Sequence, residues 1–357
     1  MKQGIRCDEA ATIGLDLGDR RTHACVLDGR GEVIQRLSFA TTQVGAQRAF
    51  AEVPAGVRVV LEVGTHSPWL SRWLLEQGYT AIVANPRQVR LIAQSDRKHD
   101  RADAELLARL GRADPKLVRP IVHRGEGVQR DRARLSVRDH LVRTRTGLIN
   151  QARGVAKALG VRLPSCTTEA FARRMREAKY DDTLFPGMQA LVNLIEQVTE
   201  AIAAQDKAIE QCCAHKYPET KRLRQVAGVG PITALAYVLT LEDPKRFATS
   251  RAVGSYIGLR PRQRDSGDAQ PQLRISKSGD PYLRRMLVQS AHYILGAFGP
   301  DTDLRRFGQR LIARGGRAAY KKATVAVARK LAVLLHRLWI SAAPYEPLRH
   351  VSEATEA

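Results

Sequence analysis

The stretch Ile13-Gly14-Leu15-Asp16-Leu17-Gly18 is an apolar run with a single carboxylate inside it. Such a run, closed by a glycine, predicts a buried β-strand that carries Asp16. A buried carboxylate is costly unless a metal ion or another cation meets it. We therefore expect Asp16 to take part in chemistry.

The residues that follow this strand predict a mixed α/β domain. Glycine-containing turns separate three strands in a meander, and the turn Asp28-Gly-Arg-Gly31 is typical of a hairpin. Helices and strands then alternate, an order that favours a ribonuclease-H-like α/β layer. The predicted elements are strands at Thr12–Leu17, Thr22–Leu27 and Val33–Phe39, a helix at Val44–Glu52, a strand at Val57–Glu62, a helix from Ser67, a strand at Thr80–Ala84 and a helix from Pro86.

From about Val128 the sequence pattern becomes helical. Leu141, Leu148 and Val155 recur at seven-residue spacing, and a second long helix has apolar residues from Met188 to Ile209, mostly at steps of three or four. The pattern is consistent with an antiparallel helix pair, a dimerising coiled coil or an ordinary helical core.

The C-terminal part contains a glycine-rich turn and a polar loop. The turn Val226-Ala-Gly-Val-Gly-Pro231 resembles a helix-hairpin-helix, whose glycines let backbone amides approach a phosphate, although a tight helix–helix turn is an alternative. Residues 260–280 are polar, and Lys321–Leu338 predicts a basic amphipathic helix. We predict four segments: the α/β domain at 1–125, a helical coiled-coil or dimerisation region at 126–215, a mainly helical C-terminal domain at 216–345 and a flexible tail at 346–357.

The chain is strongly basic, with 58 Lys and Arg residues against 36 Asp and Glu residues and a formal net charge of +22. Such a charge favours a polyanionic partner, nucleic acid before membrane. Solubility or an arginine-rich coding bias would be alternatives, but acids are absent from two basic segments, His140–Thr168 and Leu304–Tyr345. Segregated charge predicts a face that binds nucleic acid. The residues assigned to it are Arg143, Arg145, Arg153, Lys157, Arg262, Arg264, Arg274, Lys277, Arg284, Arg285, Lys321 and Lys322.

Composition and patterning disfavour several classes of protein. The sequence has no apolar run of about 18 residues and no signal-peptide pattern, so we expect no membrane span and a cytoplasmic location. The five cysteines are unevenly spaced, which disfavours a disulfide framework and a zinc site.

Four carboxylates stand out as candidate metal ligands. Asp16 and Glu62 lie on predicted strands that can be neighbours, and Asp100 and Asp103 share one face of a predicted helix. Two cations about 3.5–4 Å apart can be held by such a set, one activating the nucleophile and one the leaving oxygen. Oxygen ligands without His or Cys clusters favour Mg²⁺ or Mn²⁺.

Each carboxylate also has a simpler interpretation. Asp16 would fit a phosphate-binding turn of an actin-like or sugar-kinase fold, and Glu62 would fit a structural ion pair. Asp100 would serve as a helix N-cap, with Asp103 interacting favourably with the helix dipole. A kinase, however, would not need two long basic segments without acids.

These motifs, taken in order, resemble the DEDD transposases of the insertion-sequence one-ten family, which are relatives of the Piv invertase. The resemblance covers roughly residues 12–340. One difference is His99, where that family more often has Thr or Asn. The motifs are Gly14-Leu-Asp-Leu-Gly18, Leu61-Glu-Val-Gly-Thr65, Lys98-His-Asp-Arg-Ala-Asp-Ala104, Ala227-Gly-Val-Gly-Pro-Ile-Thr-Ala234, Gly258-Leu-Arg-Pro261, Ser266-Gly267, Ile275-Ser-Lys-Ser-Gly-Asp280 and Tyr282-Leu-Arg-Arg285.

The resemblance implies an RNA-guided, Mg²⁺-dependent transposase that excises and inserts a mobile element through a 5′-phosphoserine intermediate. It implies a RuvC-like domain with two ions at Asp16, Glu62, Asp100 and Asp103, and a C-terminal transposase domain in which Ser266 is the nucleophile. Ser276 is the second candidate for that role. The implied partners are DNA, a structured guide RNA and further copies of the chain in a dimer or tetramer, with a composite site and a location at the bacterial nucleoid.

Two other functions stay open on the sequence alone. A RuvC-like nuclease, a DNA invertase or a resolvase of the Holliday-junction type would act by hydrolysis and leave no covalent adduct. A non-catalytic scaffold for nucleic acid would keep every activity after Asp16→Asn.

Overall fold

The computed structural model describes residues 4–92, 100–178, 180, 184–264, 271 and 273–349, without the side chains of residues 90–92, 100 and 101. The chain folds as two compact units, residues 1–125 and 126–357. The predicted boundary at 215/216 within the second unit and the predicted tail at 346–357 stay predictions.

A five-stranded mixed sheet forms the centre of the first unit, in the order β3-β2-β1-β4-β5. The first three strands pair antiparallel, whereas β1–β4 and β4–β5 pair parallel. This mixture confirms the predicted α/β class. The strands are β1 (Thr12–Leu17), β2 (Arg21–Leu27), β3 (Val33–Ala40), β4 (Arg58–Glu62) and β5 (Thr80–Ala84).

Helices cover both faces of this sheet, and the alternation of side chains along each strand separates two cores. Leu15 and Leu61 pack in one core with residues of α1 and α2, whereas Val60 packs on the other face with residues of α3 and α4. The helices of this unit are α1 (Gln43–Phe50), α2 (Ser67–Glu76), α3 (Pro86–Ile92) and α4 (Asp100–Ala113).

Two glycines let α4 lie directly on the sheet. A Cβ atom at Gly14 of β1 would lie 1.9 Å from the carbonyl oxygen of Ala104 and 2.6 Å from the amide nitrogen of Ala108. A Cβ atom at Gly111 of α4 would lie 2.2 Å from Val60. No side chain fits at either position, so the helix backbone approaches β1 and β4 more closely than any larger residue would allow.

The second unit is helical in its described residues. Its long first helix, α5, packs against α7, and the contacts at the two ends of the pair show that the helices run antiparallel: Asp131 meets Lys216, and Arg138 meets Asp206. The helices are α5 (Glu126–Ala158), α6 (Phe171–Glu177), α7 (Phe185–His215), α8 (Glu219–Leu223), α9 (Pro231–Leu241), α10 (Ser250–Tyr256), α11 (Pro281–Leu295), α12 (Asp303–Ala313) and α13 (Ala319–Ser341).

Two cores stabilise this unit. The far end of the α5–α7 pair encloses Phe171 and Met175 of α6. The larger core contains α9, where the fully buried Tyr237 donates a hydrogen bond of 2.6 Å to the carbonyl oxygen of Ala332 in α13. A coiled coil between chains and a helix-hairpin-helix at 226–231 stay predictions, and that turn lies between α8 and α9.

We expect Gly14→Ala to destabilise the first unit by about 1–3 kcal/mol, because the added methyl group must displace the backbone of α4. Gly64→Ala is the matched control, since no atom lies within 4 Å of the Cβ position at Gly64. Urea unfolding of both variants measures the difference, and equal midpoints would contradict the close contact.

Candidate active site

Asp16 and Glu62 lie at the same edge of the sheet. The last paired residues of β1 and β4 are Leu15 and Leu61, and each carboxylate is the next residue along its strand. Both side chains are half-buried. Because alternate residues share a face, Asp16 follows Gly14 and Glu62 follows Val60 onto the side of the sheet that α4 covers.

α4 runs towards this edge and carries a third candidate carboxylate, Asp103. The C-terminal end of α4 lies where β4 begins, since Arg58 donates a 3.0 Å hydrogen bond to the carbonyl oxygen of Gly111. Its N-terminal half crosses β1 at Gly14 and continues towards the end of the sheet that carries Asp16. Asp103 is half-buried and lies one turn before Leu107, which faces the sheet. Asp100 opens the helix, and its side chain lies outside the described residues.

The three described carboxylates come from three elements and carry only oxygen donors, which suits Mg²⁺ or Mn²⁺. Asp16 and Glu62 each have further interactions within the protein. Among the described side chains no group of three or more His, Cys, Asp or Glu residues has the geometry of a metal site. The donor set fits the predicted ion in its chemistry only, and the role of each ligand stays a prediction.

His23 is a candidate that the sequence did not suggest. It pairs with Asp16 across β1 and β2, and cross-strand partners in an antiparallel pair share a face. His23 thus lies on the α4 side, half-buried, beside the carboxylate. The turn at Gly18 fixes this register, so the hairpin pattern itself contained the signal.

The turn after Glu62 is held by a hydrogen-bonded serine. Ser67 is buried; its hydroxyl donates to the carbonyl oxygen of Gly64 at 2.8 Å and accepts from the amide of Gly64 at 3.0 Å. The hydroxyl also lies 2.9 Å from Nε2 of His123. Burial lowers the pKa of His123, and the positive charges of Arg72 and Arg124 lower it further, which favours the neutral ring.

An ion-pair cluster fixes α4 against β3. Glu105 pairs with Arg36 of β3 and, at 2.8 Å, with Arg109 one turn further along α4. The hydrogen bond from Arg36 and then that from Arg109 hold the pKa of Glu105 below its usual value of 4.5. The cluster therefore stabilises the position of α4 while Glu105 is ionised.

The predicted nucleophile Ser266 lies outside the described residues, but both flanking segments are described. The two segments pair through their backbones. The amide of Arg262 donates a hydrogen bond of 3.0 Å to the carbonyl oxygen of Arg274, and the amide of Ser276 donates one of 2.9 Å to the carbonyl oxygen of Arg260. A bridge between Pro261 and Ile275 continues the pairing. These contacts define the two arms of a hairpin, residues 258–264 and 273–279.

The base of these arms is locked by glycines. Gly258 has φ +78°, and a Cβ atom there would lie 2.1 Å from the carbonyl oxygen of Ser278. Gly279 has φ +72°, and its Cβ atom would lie 2.0 Å from the carbonyl oxygen of Tyr256. Arg284 donates to the carbonyl oxygens of Ile257 and Ser278 at 2.8 and 2.9 Å, which joins both arms to α11.

Ser276, the second candidate nucleophile, is engaged in this base. Its hydroxyl lies 2.8 Å from the hydroxyl of Ser278 and accepts a hydrogen bond from the amide of Ser278 at 3.4 Å. The side chain is half-buried. These contacts suit a role in shaping the turn.

The predicted nucleic-acid-binding residues divide by exposure. Arg145 is buried at 6% exposure and pairs with Glu169 at 2.8 Å, so its guanidinium has little surface to offer to a phosphate. Arg153, Arg284 and Arg285 are half-buried. The exposed members are Arg143, Lys157, Arg262, Arg264, Arg274, Lys277, Lys321 and Lys322.

Comparison with known proteins identifies the family. A model of the "Transposase IS116/IS110/IS902 family" matches residues 220–305, and a transposase model of the DEDD type from the IS110 group matches residues 13–159. A probable family 20 transposase of Pseudomonas aeruginosa is 30% identical over 94% of this chain and 98% of its own length. The chain belongs to the IS110 family of transposases.

Two further relatives of this transposase show the range of the family. The transposase for insertion sequence element IS1111A of Coxiella burnetii is 28% identical over 91% of this chain and 88% of its own length. The pilin gene-inverting protein of Moraxella bovis is 24% identical over 95% of this chain and 98% of its own length. Transposases cut and join DNA, so the chain is an enzyme of DNA recombination. No helix within the described residues of the transposase is long and apolar enough to cross a membrane.

We expect Glu105→Gln to lower the free energy of unfolding of the transposase by about 1 kcal/mol at neutral pH. A carboxylate with a depressed pKa stabilises the fold above its unfolded-state pKa, and this contribution is lost as the pH falls through the folded-state pKa. The difference from wild type should therefore shrink below pH 4.5.

Urea unfolding at a series of pH values measures this difference. Glu52→Gln is the control in the same unit, because the Glu52–Arg6 pair is exposed at both side chains and should contribute little at any pH. A Glu105→Gln effect that is constant down to the lowest pH would contradict the ion-pair explanation.

Proposed function

We propose that this transposase excises and inserts a mobile DNA element through a serine–DNA intermediate, with a carboxylate metal site in its first unit. The observation that carries the proposal is that Asp16 and Glu62 follow the last paired residues of neighbouring strands, on the face of the sheet that is covered by α4, the helix that carries Asp103. The strand order and these positions support a RuvC-like DEDD domain in which Asp100 is the fourth ligand.

In this proposal two Mg²⁺ or Mn²⁺ ions bind at Asp16, Glu62, Asp100 and Asp103. Bound there, the ions supply positive charge that stabilises negative charge developing on the scissile phosphate. The protein's part is to hold the carboxylates in place. The contact at Gly14, the Glu105 cluster and the Ser67 turn all serve that purpose, since each fixes an element that carries a ligand.

Ser266 is the proposed nucleophile. Its Oγ forms a bond to phosphorus and loses its proton, while the bond to the 3′ oxygen breaks and that oxygen leaves as a hydroxyl. A 3′ hydroxyl of the partner strand then attacks the 5′-phosphoserine and releases the serine, so neither water nor a high-energy cofactor is consumed. Arg262, Arg264, Arg274 and Lys277 are exposed on the hairpin arms, where they can stabilise charge on the phosphate.

A structured guide RNA is part of the proposal because a net charge of +22 fits a protein that covers the phosphates of both RNA and DNA. The exposed cations of the α12–α13 region, Arg310, Arg314, Arg317, Lys321 and Lys322, provide a second basic surface for phosphates. Assembly as a dimer or tetramer and an association with the bacterial nucleoid belong to the same proposal.

The decisive experiment detects the covalent intermediate. Labelled DNA is incubated with the transposase, its RNA and Mg²⁺, and the products are separated on a denaturing gel. We expect a protein–DNA adduct with the wild type, and none with Ser266→Ala or Asp16→Asn. Ser276→Ala is the matched control, and it should form the adduct at a normal rate because its hydroxyl belongs to the hairpin base.

The same gel separates the proposal from its rivals. Cleaved DNA without an adduct, unaffected by Ser266→Ala, would identify a RuvC-like hydrolytic nuclease. If Ser276→Ala lost the adduct and Ser266→Ala kept it, the nucleophile would be Ser276 and not Ser266. Unchanged products with Asp16→Asn would overturn the metal site.

Metal binding is tested without catalysis by electron paramagnetic resonance of Mn²⁺. We expect Asp16→Asn and Glu62→Gln to lose most of the high-affinity Mn²⁺ binding, because each removes a charged oxygen ligand. Asp206→Asn is a control, since Asp206 is paired with Arg138 in the second unit. Equal Mn²⁺ binding by all of these proteins would refute the assignment of ligands.

A further inference from the structure

The second unit contains an open cleft of about 690 Å³. Three segments form its walls: part of α5, the turn that leads into α9, and one side of α11. The turn contributes Gly228 and Gly230, and α11 contributes Tyr282 and Tyr293. None of the candidate catalytic residues lines it.

The rim of the cleft carries four guanidinium groups and one carboxylate, Asp139. Asp139 binds Arg143 at 2.8 Å and Arg285 at 2.5 Å, so this one acid orients two arginines and leaves a net positive charge. Arg138 and Arg224 pair with carboxylates that are themselves about half exposed, Asp206 and Glu210. The Arg224–Glu210 pair is exposed at both side chains, and such a pair is weak and can exchange its carboxylate for a phosphate.

The interior of the cleft is apolar and includes an accessible aromatic ring. Val226, Val229 and Ile232 contribute to the lining. Tyr293 lies against Gly228 and keeps 49% of its surface exposed. Tyr282, by contrast, lies under the Arg285 guanidinium, 5.1 Å from its ring centre. Burial raises the pKa of its hydroxyl to about 12.

The turn has open space beside the Cα atom of Gly230. Its φ of −86° is one that any residue adopts, and no atom lies within 4 Å of the position that a Cβ would take. Folding therefore does not require a glycine there. Gly228 differs, because its φ is +81° and a Cβ would lie 3.0 Å from Tyr293. Gly230 thus offers a position where a side chain can narrow the cleft without disturbing the fold.

We propose that this cleft binds a single-stranded segment of DNA, with its phosphates at Arg143 and Arg285 and a base stacked on Tyr293. A positive rim around an apolar interior complements an unpaired strand, which presents phosphates and bare base faces together. A duplex hides its base faces and would leave the interior of the cleft unused. DNA is the expected strand because this enzyme family cuts and joins DNA. The inference does not depend on the serine intermediate.

Fluorescence anisotropy with a short fluorescein-labelled single-stranded DNA tests the cleft, in a chelating buffer so that cleavage cannot contribute. Tyr293→Ala should weaken binding roughly fivefold to a hundredfold, as expected for loss of one stacked base. Tyr293→Phe should bind like wild type, because it keeps the ring. Gly230→Val should weaken binding to a similar degree.

Gly187→Val is the matched control for the Gly230→Val substitution. Gly187 lies on α7 outside the cleft, and no atom lies within 4 Å of its Cβ position. It should bind as wild type does, and circular dichroism should show all variants folded. The same DNA as a duplex should bind the wild type and Tyr293→Ala equally well.

The remaining outcomes would overturn the proposal. Equal losses for single-stranded and duplex DNA would mean that the cleft binds only phosphates. If Tyr293→Ala weakened the binding of RNA of the same sequence but not of DNA, the cleft would be an RNA-binding site. Unchanged binding by both Tyr293→Ala and Gly230→Val would show that it is not a binding site. A missing serine adduct alone would leave the cleft intact, because binding is measured separately.

Discussion

The contact between the backbone of α4 and Gly14 of β1 is the constraint on which the candidate active site depends. Asp16 is only two residues beyond Gly14, and Asp103 immediately precedes Ala104, whose carbonyl oxygen meets Gly14. A larger residue would lift the helix from the sheet and carry its carboxylates away from Asp16. The parallel pairing of β1 with β4 then supplies Glu62 without further adjustment, because the two strands end at the same edge. A packing contact in the sheet thus fixes the positions of the candidate ligands at its end.

Several arginines of this protein stabilise the fold through contacts within it. Arg36, Arg132 and Arg145 each pair with a carboxylate far away in the sequence. Arg305 donates to the carbonyl oxygens at the end of α11. The planar, multidentate guanidinium suits such contacts better than an ammonium group. The net charge of +22 is therefore a poor guide to single residues. Exposure is the better guide, and Arg314 and Arg317, at the turn between α12 and α13, are exposed.

The sequence predicted the strands of the first unit well because alternation, turns and apolar runs are local signals. The bounds of β1 and β5 agree with the predicted Thr12–Leu17 and Thr80–Ala84. The sequence did not predict the close contact of α4 with Gly14. The helix lies about ninety residues further along the chain, and no local pattern indicates which helix packs on Gly14. The same limit explains why the sequence assigned Arg145 to the nucleic-acid-binding surface. Arg145 lies in a basic run, which is typical of a surface, but in the fold it is buried and pairs with Glu169.

The rigid base of the hairpin that flanks Ser266 suits the nucleophilic role proposed for that serine. A serine hydroxyl is a weak nucleophile, so its reaction gains from being held near the phosphate before the bond forms. Freezing a long loop at that moment would cost about 1–2 kcal/mol for each residue ordered. Gly258, Gly279 and Arg284 fix both arms where they leave the helical core, so the base of the hairpin is already ordered in the folded protein. A substitution at Gly258 should therefore slow strand exchange even with Ser266 intact, since its φ of +78° and the contact with Ser278 admit no side chain.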